Sequence, residues 1–431
     1  MDTTRLVKIE AFRSEFLDNS RDVFVYLPPS YEASSRRYPV LYMHDGRHAF
    51  FADEYGDSWE ADRVVDSLAS EGRMREIMVV AVSVVSSRRV AEYFHPHPGA
   101  EKALGVDCRG DLYERFLADE LKPFIDSQFH TLPEPQHTAL LGASAGGVIS
   151  YAIGFNRPEV FGNLGVMSPY LVSTDLETLA ETPMVQLHEH KAPLKVWLDT
   201  GSAEGLLILP RHVRDAAIRL KKAGFKQGED FAFYLTPQAA HTQQDWSARL
   251  HMPLLFFFEK MAQPVRLELL GADEIALTET DVYLNAINHF DTGFALSDLE
   301  ASYIVGNSEI LEITPEGRLI PKALGTTTVT YQKHGLCATK TICVNPNLGP
   351  LATVRLEVTV PPETPTDTRI WAGVELPRLS AGKYGGTFRL PRGLEFAFKV
   401  SRGMGKNERS RGRYFKVEDG LELRLEVEEW E

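Results

Sequence analysis

Cysteine is scarce, with three residues in a chain of 431. So sparse and odd a set excludes a disulfide-stapled scaffold. Cys337 and Cys343 stand six residues apart in what reads as one extended strand. That spacing corresponds to ~20 Å, well beyond disulfide reach. Cys108 stands alone, and all three read as inert thiols. Long apolar runs are also missing: the longest nearly uncharged stretch, 77–85, falls far short of the ~20 residues that span a bilayer. Positive charge is in deficit, with 46 Lys and Arg against 60 Asp and Glu and a net charge of −14. Such a surface repels phosphate backbones and anionic headgroups, so nucleic acid and membrane are not expected partners. The opening Met1-Asp2-Thr3-Thr4-Arg5 lacks a basic segment followed by an apolar core. The sequence as it stands is therefore expected to be cytoplasmic, or periplasmic or secreted if a leader has been removed.

What is present is ordinary globular composition, 43% hydrophobic with 32 Gly and 25 Pro, long enough for two or three domains. From residue 20 to 262, β-rich runs at 23–27, 40–44, 78–84, 138–141, 164–167, 195–199 and 231–235 alternate with amphipathic stretches. Tyr113-Phe116-Leu117-Leu121-Phe124-Ile125 recurs at helical spacing, as do Val213-Ala217-Leu220 and Leu250-Leu254-Phe257. This alternation predicts an α/β domain with a mostly parallel sheet over 1–262. Beyond Pro264 the pattern changes to short strands, expected at 265–270, 281–286, 301–305, 326–331 and 338–344, and read as a β-sandwich over 263–346. Asn345-Pro346-Asn347-Leu348-Gly349-Pro350 reads as a linker. A second all-β unit over 350–431 follows, with strands expected at 353–360, 369–373, 385–390, 394–400 and 421–427.

The sharpest chemical signal is Gly142-Ala143-Ser144-Ala145-Gly146-Gly147, set between a strand-like run and a helix-like one. Strand, Gly-flanked turn and helix is the context in which Gly-x-Ser-x-Gly forms a nucleophile elbow. Small residues two positions either side let strand and helix approach, the serine hydroxyl stands above the sheet, and the Ala145 amide faces a developing oxyanion. A serine nucleophile needs a base, and the base an orienting acid, in the chain order Ser, acid, His. Asp199 and Glu204 both lie at the end of the 195–199 strand, where functional carboxylates are expected in such sheets. His241 follows the last strand of the α/β region and is the favoured base among thirteen histidines. His44, His48, His95 and His97 lie on other post-strand loops as candidate site-lining residues. His188-Glu189-His190 suggests metal binding but lacks a third ligand, and no cofactor or metal is expected. The loop after the strand at 40–44 can supply the second oxyanion donor, from Gly46 or Arg47.

These motifs resemble the esterase-D and enterochelin-esterase-like branch of the α/β-hydrolases. The likeness spans about 15–260 and includes Val25-Tyr26-Leu27-Pro28-Pro29-Ser30-Tyr31, Tyr38-Pro39-Val40-Leu41-Tyr42-Met43-His44-Asp45-Gly46 and Arg89-Val90-Ala91-Glu92-Tyr93. It continues through Glu120-Leu121-Lys122-Pro123-Phe124-Ile125-Asp126, the Ser144 elbow, Pro158-Glu159-Val160-Phe161-Gly162 and Ser168-Pro169. The resemblance implies a serine carboxylesterase with an acyl-enzyme intermediate. A Gly followed three residues later by Glu matches Gly201 and Glu204, which raises Glu204 above Asp199. A His followed by Trp matches His241 and Trp246, with His44 and Trp246 expected at the substrate. The implied substrate is a small-molecule ester, such as a sugar ester or a siderophore-like ester.

Ser308-Glu309-Ile310-Leu311-Glu312-Ile313-Thr314-Pro315-Glu316-Gly317 and Ala323-Leu324-Gly325-Thr326-Thr327-Thr328-Val329 resemble bacterial immunoglobulin-like domains of the second group. The final segment resembles starch-binding-type carbohydrate modules through Val358-Thr359-Val360-Pro361-Pro362-Glu363-Thr364-Pro365, Phe398-Lys399-Val400-Ser401-Arg402-Gly403 and Val427-Glu428-Glu429-Trp430. That likeness implies glycan binding through exposed aromatics, with Trp371 and Tyr384 as candidates. The competing readings are a carbohydrate-binding or scaffolding protein with a vestigial hydrolase domain, and an acyltransferase or peptidase using the same nucleophile.

Overall fold

The β-branched and aromatic runs of the first 236 residues form ten strands: β1 (Leu6–Ser14), β2 (Asn19–Tyr26), β3 (Val40–Met43), β4 (Met78–Val82), β5 (Thr138–Ala143), β6 (Asn163–Met167), β7 (Val172–Thr174), β8 (Glu181–Pro183), β9 (Lys195–Gly201) and β10 (Phe231–Thr236). This computed structural model describes residues 3–53, 56–174, 178, 180–205, 208–259, 263–346, 348–349, 351–403, 406–410 and 412–431. Eight strands make one sheet in the order β1-β2-β4-β3-β5-β6-β9-β10, and β7 pairs with β8 as a separate hairpin. The run from β4 to β10 is parallel, while β1 and β2 are antiparallel to their neighbours. The expected α/β architecture with a mostly parallel sheet is therefore what forms.

Strands buried on both faces explain the unbroken apolar runs: all five residues of β4 are buried. Alternate residues of β3 serve opposite layers. Val40 and Tyr42 pack with helices Ala145–Asn156 and Leu209–Lys222, and Leu41 and Met43 pack with helices Ala61–Ser70 and His251–Phe258. The helix expected around 113–125 is interrupted. Gly110–Arg115 and Lys122–Gln128 are α-helical, and Phe116–Leu121 between them is a widened π turn. Pro123 is the second residue after that turn; it cannot donate to the carbonyl four residues back and its ring crowds that carbonyl. Among the described residues no helix is long and apolar enough to cross a membrane.

The remaining chain is β-structure, as expected. Strands β11 (Pro264–Leu270), β12 (Glu274–Ala276), β13 (Asn285–Phe290), β14 (Ala295–Ser297) and β15 (Tyr303–Val305) come first. They are followed by β16 (Leu311–Ile313), β17 (Leu319–Pro321), β18 (Gly325–Lys333) and β19 (Leu336–Asn345), and form the sheets β11-β13-β14 and β12-β19-β18-β15 with the small pair β16-β17. The strand expected at 281–286 sits a few residues later, at Asn285–Phe290. Cys337 and Cys343 share β19 unbonded, and burial raises the Cys108 thiol to about 11. The C-terminal region has its own core around the sheet strands Leu351–Thr359, Lys383–Pro391 and Leu421–Glu426. The junction read at residue 262 lies outside the described residues, as do Asn347 and Pro350 of the expected linker.

The middle region does not stand apart from the α/β sheet. Strand β10 is an edge strand, and its backbone is met by side chains from beyond residue 263. Ser297 Oγ accepts from the Leu235 amide at 3.0 Å, and Asn285 Nδ2 donates to the Leu235 carbonyl at 3.0 Å. Ile287, Phe294, Ala295 and Leu296 join the apolar cluster under the sheet. Phe294 is 1% exposed and packs on Trp197 and Phe256, with ring centroids 5.7 and 6.2 Å away. Truncating a buried phenylalanine costs about 3–5 kcal/mol. Phe294→Ala is expected to lower the denaturant-unfolding stability of the full chain by that amount, and a loss under about 1 kcal/mol would show that this docking contributes little.

Candidate active site

Ser144 joins β5 to the helix Ala145–Asn156 and adopts φ 58°, ψ −124°. A positive φ at a non-glycine residue is strained, and here the turn is held by a hydrogen bond from the Ser144 amide to the Met167 carbonyl, 3.0 Å. The glycines explain how strand and helix fit. A Cβ at Gly142 would lie 2.6 Å from the Gly146 backbone and 2.8 Å from His44, and one at Gly147 would lie 2.8 Å from the Met167 carbonyl. At Gly146 the nearest atoms are 3.5 Å away, an ordinary contact. The crowding falls at Gly142 and Gly147 rather than symmetrically about the serine.

Glu204 follows β9 and His241 follows β10, so both lie at the carboxyl edge of the sheet, as does Ser144 after β5. His241 Nδ1 is 2.9 Å from Glu204 Oε2. The other carboxylate oxygen, Oε1, accepts from Ser168 Oγ at 2.7 Å and from the Gly201 amide at 2.7 Å, and the Arg249 guanidinium lies 3.7 Å away. The Glu204 side chain has no exposure, whereas His241 is 28% exposed. Burial pushes the Glu204 carboxyl up, but the hydrogen bond and charge of His241, then Arg249 and Ser168, outweigh it and hold the group below its ordinary value.

Asp199 has different partners. It is fully buried, accepts from Trp197 Nε1 at 2.6 Å and from Arg249 Nε at 3.1 Å, and burial raises its carboxyl despite those contacts. Of the two carboxylates left open by the residues alone, Glu204 is the one brought to His241. Ser168 ties the groups together, since its hydroxyl donates to Glu204 and accepts from Trp246 Nε1 at 3.1 Å and Arg249 Nη2 at 2.8 Å. Sequence reasoning missed Arg249 as a partner of this site. The one available signal was a single arginine beside the wholly apolar run of the following helix.

The two residues expected at the substrate are both largely buried. Trp246 is 8% exposed and sets its ring edge-on to His241 at 4.9 Å, so it seats the imidazole. His44 is 5% exposed, is hydrogen-bonded through Nδ1 to Tyr113 Oη at 3.0 Å, and lies behind the elbow. On the adjoining loop the Gly46 amide is already bonded to the Val82 carbonyl at 2.8 Å, which leaves Arg47 as the available donor of the pair. Asp45 anchors this loop at φ 54°: its carboxylate takes Arg89 Nε and Nη2 at 2.7 and 2.8 Å, and its amide donates to Tyr93 Oη at 3.1 Å. Ala145 is the first residue of its helix, where amides lack intrahelical partners. His48 lies in the short helix Arg47–Phe50, His95 pairs with Glu114, and His97 caps helix Pro98–Leu104. His188 stacks on Phe155 at 4.6 Å. In the C-terminal region Tyr384 is core, 3% exposed, and the Trp371 ring is covered by Arg369 at 5.2 Å, so the residues expected to stack on sugars do not form an open platform.

Burial lowers the His44 imidazole to about 3, with Arg89 adding to the effect and Asp45 opposing it. Between pH 6.5 and that value the unfolded chain binds a proton that the folded chain refuses, so acid favours unfolding. At pH 5 the penalty is about 2 kcal/mol for this one group. His44→Gln is expected to lose stability less steeply than wild type between pH 7.5 and 5 in denaturant titrations; parallel slopes would refute a neutral His44.

The comparisons with known proteins concern this same α/β region. Residues 14–257, more than half of the chain, match the model of the Esterase family, described as "Putative esterase". The uncharacterized protein YbbA of Bacillus subtilis is 28% identical over 196 residues, 44% of this chain and 72% of that protein. An endo-1,4-beta-xylanase/feruloyl esterase of Xylanibacter ruminicola is 27% identical over 223 residues, 50% of this chain and 27% of its own length. Among solved structures, the enterobactin esterase FES of Shigella flexneri has 19% identity and a TM-score of 0.47, with 58% of each chain covered. On the family match, the chain belongs to the Esterase family and is a carboxylic ester hydrolase.

Proposed function

We propose that the esterase works through Ser144, His241 and Glu204 and passes through an acyl-enzyme. The observation that carries this reading is the 2.9 Å contact between His241 Nδ1 and Glu204, a buried carboxylate held by three further groups. That contact leaves Nε2 of the imidazole for the serine. Ser144 Oγ attacks the ester carbonyl while His241 takes its proton, and Glu204 stabilises the imidazolium that forms. The amides of Ala145 and Arg47 receive the oxyanion of the tetrahedral intermediate. Collapse breaks the bond to the alkoxide, which leaves with the proton from His241. Water then attacks the acyl-enzyme by the same route and returns the free acid and Ser144.

The substrate is proposed to be a small-molecule ester. Feruloyl and acetyl sugar esters and a catecholate-type lactone are the first to test, beside a p-nitrophenyl chain-length series. A fluorophosphonate probe is expected to label Ser144, whereas absence of labelling would favour a vestigial hydrolase domain. An added alcohol acceptor separates hydrolysis from acyl transfer. Ser144→Ala is expected to lower p-nitrophenyl acetate turnover by at least about a thousand-fold, and wild-type turnover in this variant would overturn the assignment. Glu204→Gln is expected to cost kcat more than Asp199→Asn, because Asp199 partners Arg249 rather than the imidazole; the reverse order would exchange the acid.

A further inference from the structure

The loop that carries Glu204 is also a strand partner of the C-terminal region. Strand Glu395–Phe398 pairs with Arg413–Lys416 along one side. Along its other side Glu204 and Phe396 form an antiparallel bridge, and the Ala397 amide donates to the Ala203 carbonyl at 2.9 Å. The chain is close-fitted here: a Cβ on Gly205 would stand 2.5 Å from the Glu395 carbonyl oxygen and 2.6 Å from Leu394 Cδ1. Ser202 extends the contact. Its hydroxyl donates to the Glu395 carboxylate and accepts from the Gln238 amide at 2.8 Å, three residues before His241. Its own amide donates to the Thr236 carbonyl at 2.9 Å, and Ala203 donates to the Ala239 carbonyl at 3.0 Å. One carboxylate from nearly two hundred residues away is thus hydrogen-bonded to the hinge between the acid loop and the base loop.

We propose that the C-terminal β-region is a working part of the esterase, with Glu395 as a positioning residue that holds the Glu204 and His241 loops in register. The proposal rests on the Ser144-His241-Glu204 reading. Glu395 touches neither Glu204 nor His241 by a hydrogen bond; it acts through Ser202, whose single proton can be donated to one acceptor. Without that acceptor the Ser202 hydroxyl turns toward solvent or toward a carbonyl. The Gln238 turn then loses its fixed partner, and small misplacements of catalytic groups are expensive in rate.

The test uses the full chain with p-nitrophenyl acetate, each rate normalised to the fraction of serine titrated by a fluorophosphonate. Glu395→Ala is expected to lower kcat on the order of ten-fold with KM little changed. Glu395→Gln retains an oxygen that accepts from Ser202 and is expected to restore most of kcat. Ala397→Pro removes the Ala397 donor while leaving Glu395 in place, and a fall in kcat with KM little changed is expected. A merely structural contact would lower the titratable fraction but leave the normalised kcat of every variant at the wild-type value, and that result would overturn the proposal. Ser144→Ala separates the two claims: if it is inactive while the Glu395 and Ala397 variants match wild type, the triad stands and the positioning role falls.

Discussion

A carboxylate with no exposed surface is the constraint around which the site is arranged. Removing such a group from water costs several kcal/mol unless charge and hydrogen bonds replace its hydration. Glu204 obtains that replacement from Ser168, the Gly201 amide, His241 and the nearby Arg249. Each donor comes from a different part of the fold: Ser168 from the end of β6, Gly201 from the end of β9, His241 from the loop after β10, and Arg249 from the helix beyond. The carboxylate therefore connects three successive strand ends, and its lowered proton affinity follows from partners that favour the charged form. Arg249 serves two buried acids at once, Asp199 and Glu204, which keeps like charges in one small volume tolerable.

The serine end of the site is built on a different principle, conformational strain held by packing. Ser144 at φ 58° and Asp45 at φ 54° both occupy a backbone region that side chains disfavour. Asp45 is held there by a two-pronged ion pair to Arg89 and by Tyr93 Oη. Ser144 is held by the Met167 carbonyl and by glycines that let the helix approach. Strain of this kind persists only where the surroundings over-determine it. The aromatic wall of His44, Tyr93 and Tyr113 behind the elbow supplies that rigidity.

Much of this was legible from residue order. The seven expected strands of the α/β domain all form, because short β-branched runs between amphipathic stretches have few alternatives in a covered parallel sheet. Ser144 stood out through its Gly-flanked turn between strand and helix and His241 through its place after the last strand, whereas position alone left Glu204 level with Asp199 and only the family resemblance separated them. Less legible was anything decided by tertiary partners. Strand β13 starts at Asn285, near the end of the expected run 281–286, and it carries on through Asn288 because the fold gives both buried amides partners, the Leu235 carbonyl and Tyr331. Gly46 and Arg47 could not be told apart without knowing that the Val82 carbonyl takes one of their amides. The bridge from Phe396 to Glu204 joins segments far apart in sequence, and neither has a periodicity that announces the other.

An eight-stranded open sheet has two edges, and the chain closes them differently. At β10 the middle β-region covers the exposed backbone. At β1 the strand is irregular: its pairing with β2 slips between Ile9 and Phe12, where Ala11 turns to φ 49°. Lys8 is tied to Asp22 and Arg13 to Asp18 along the same strand. A bulged, charged strand is a poor template for another chain. The sheet therefore offers a second copy no flat edge on which to extend, and crowding of this protein at high concentration should not proceed by strand addition at either end.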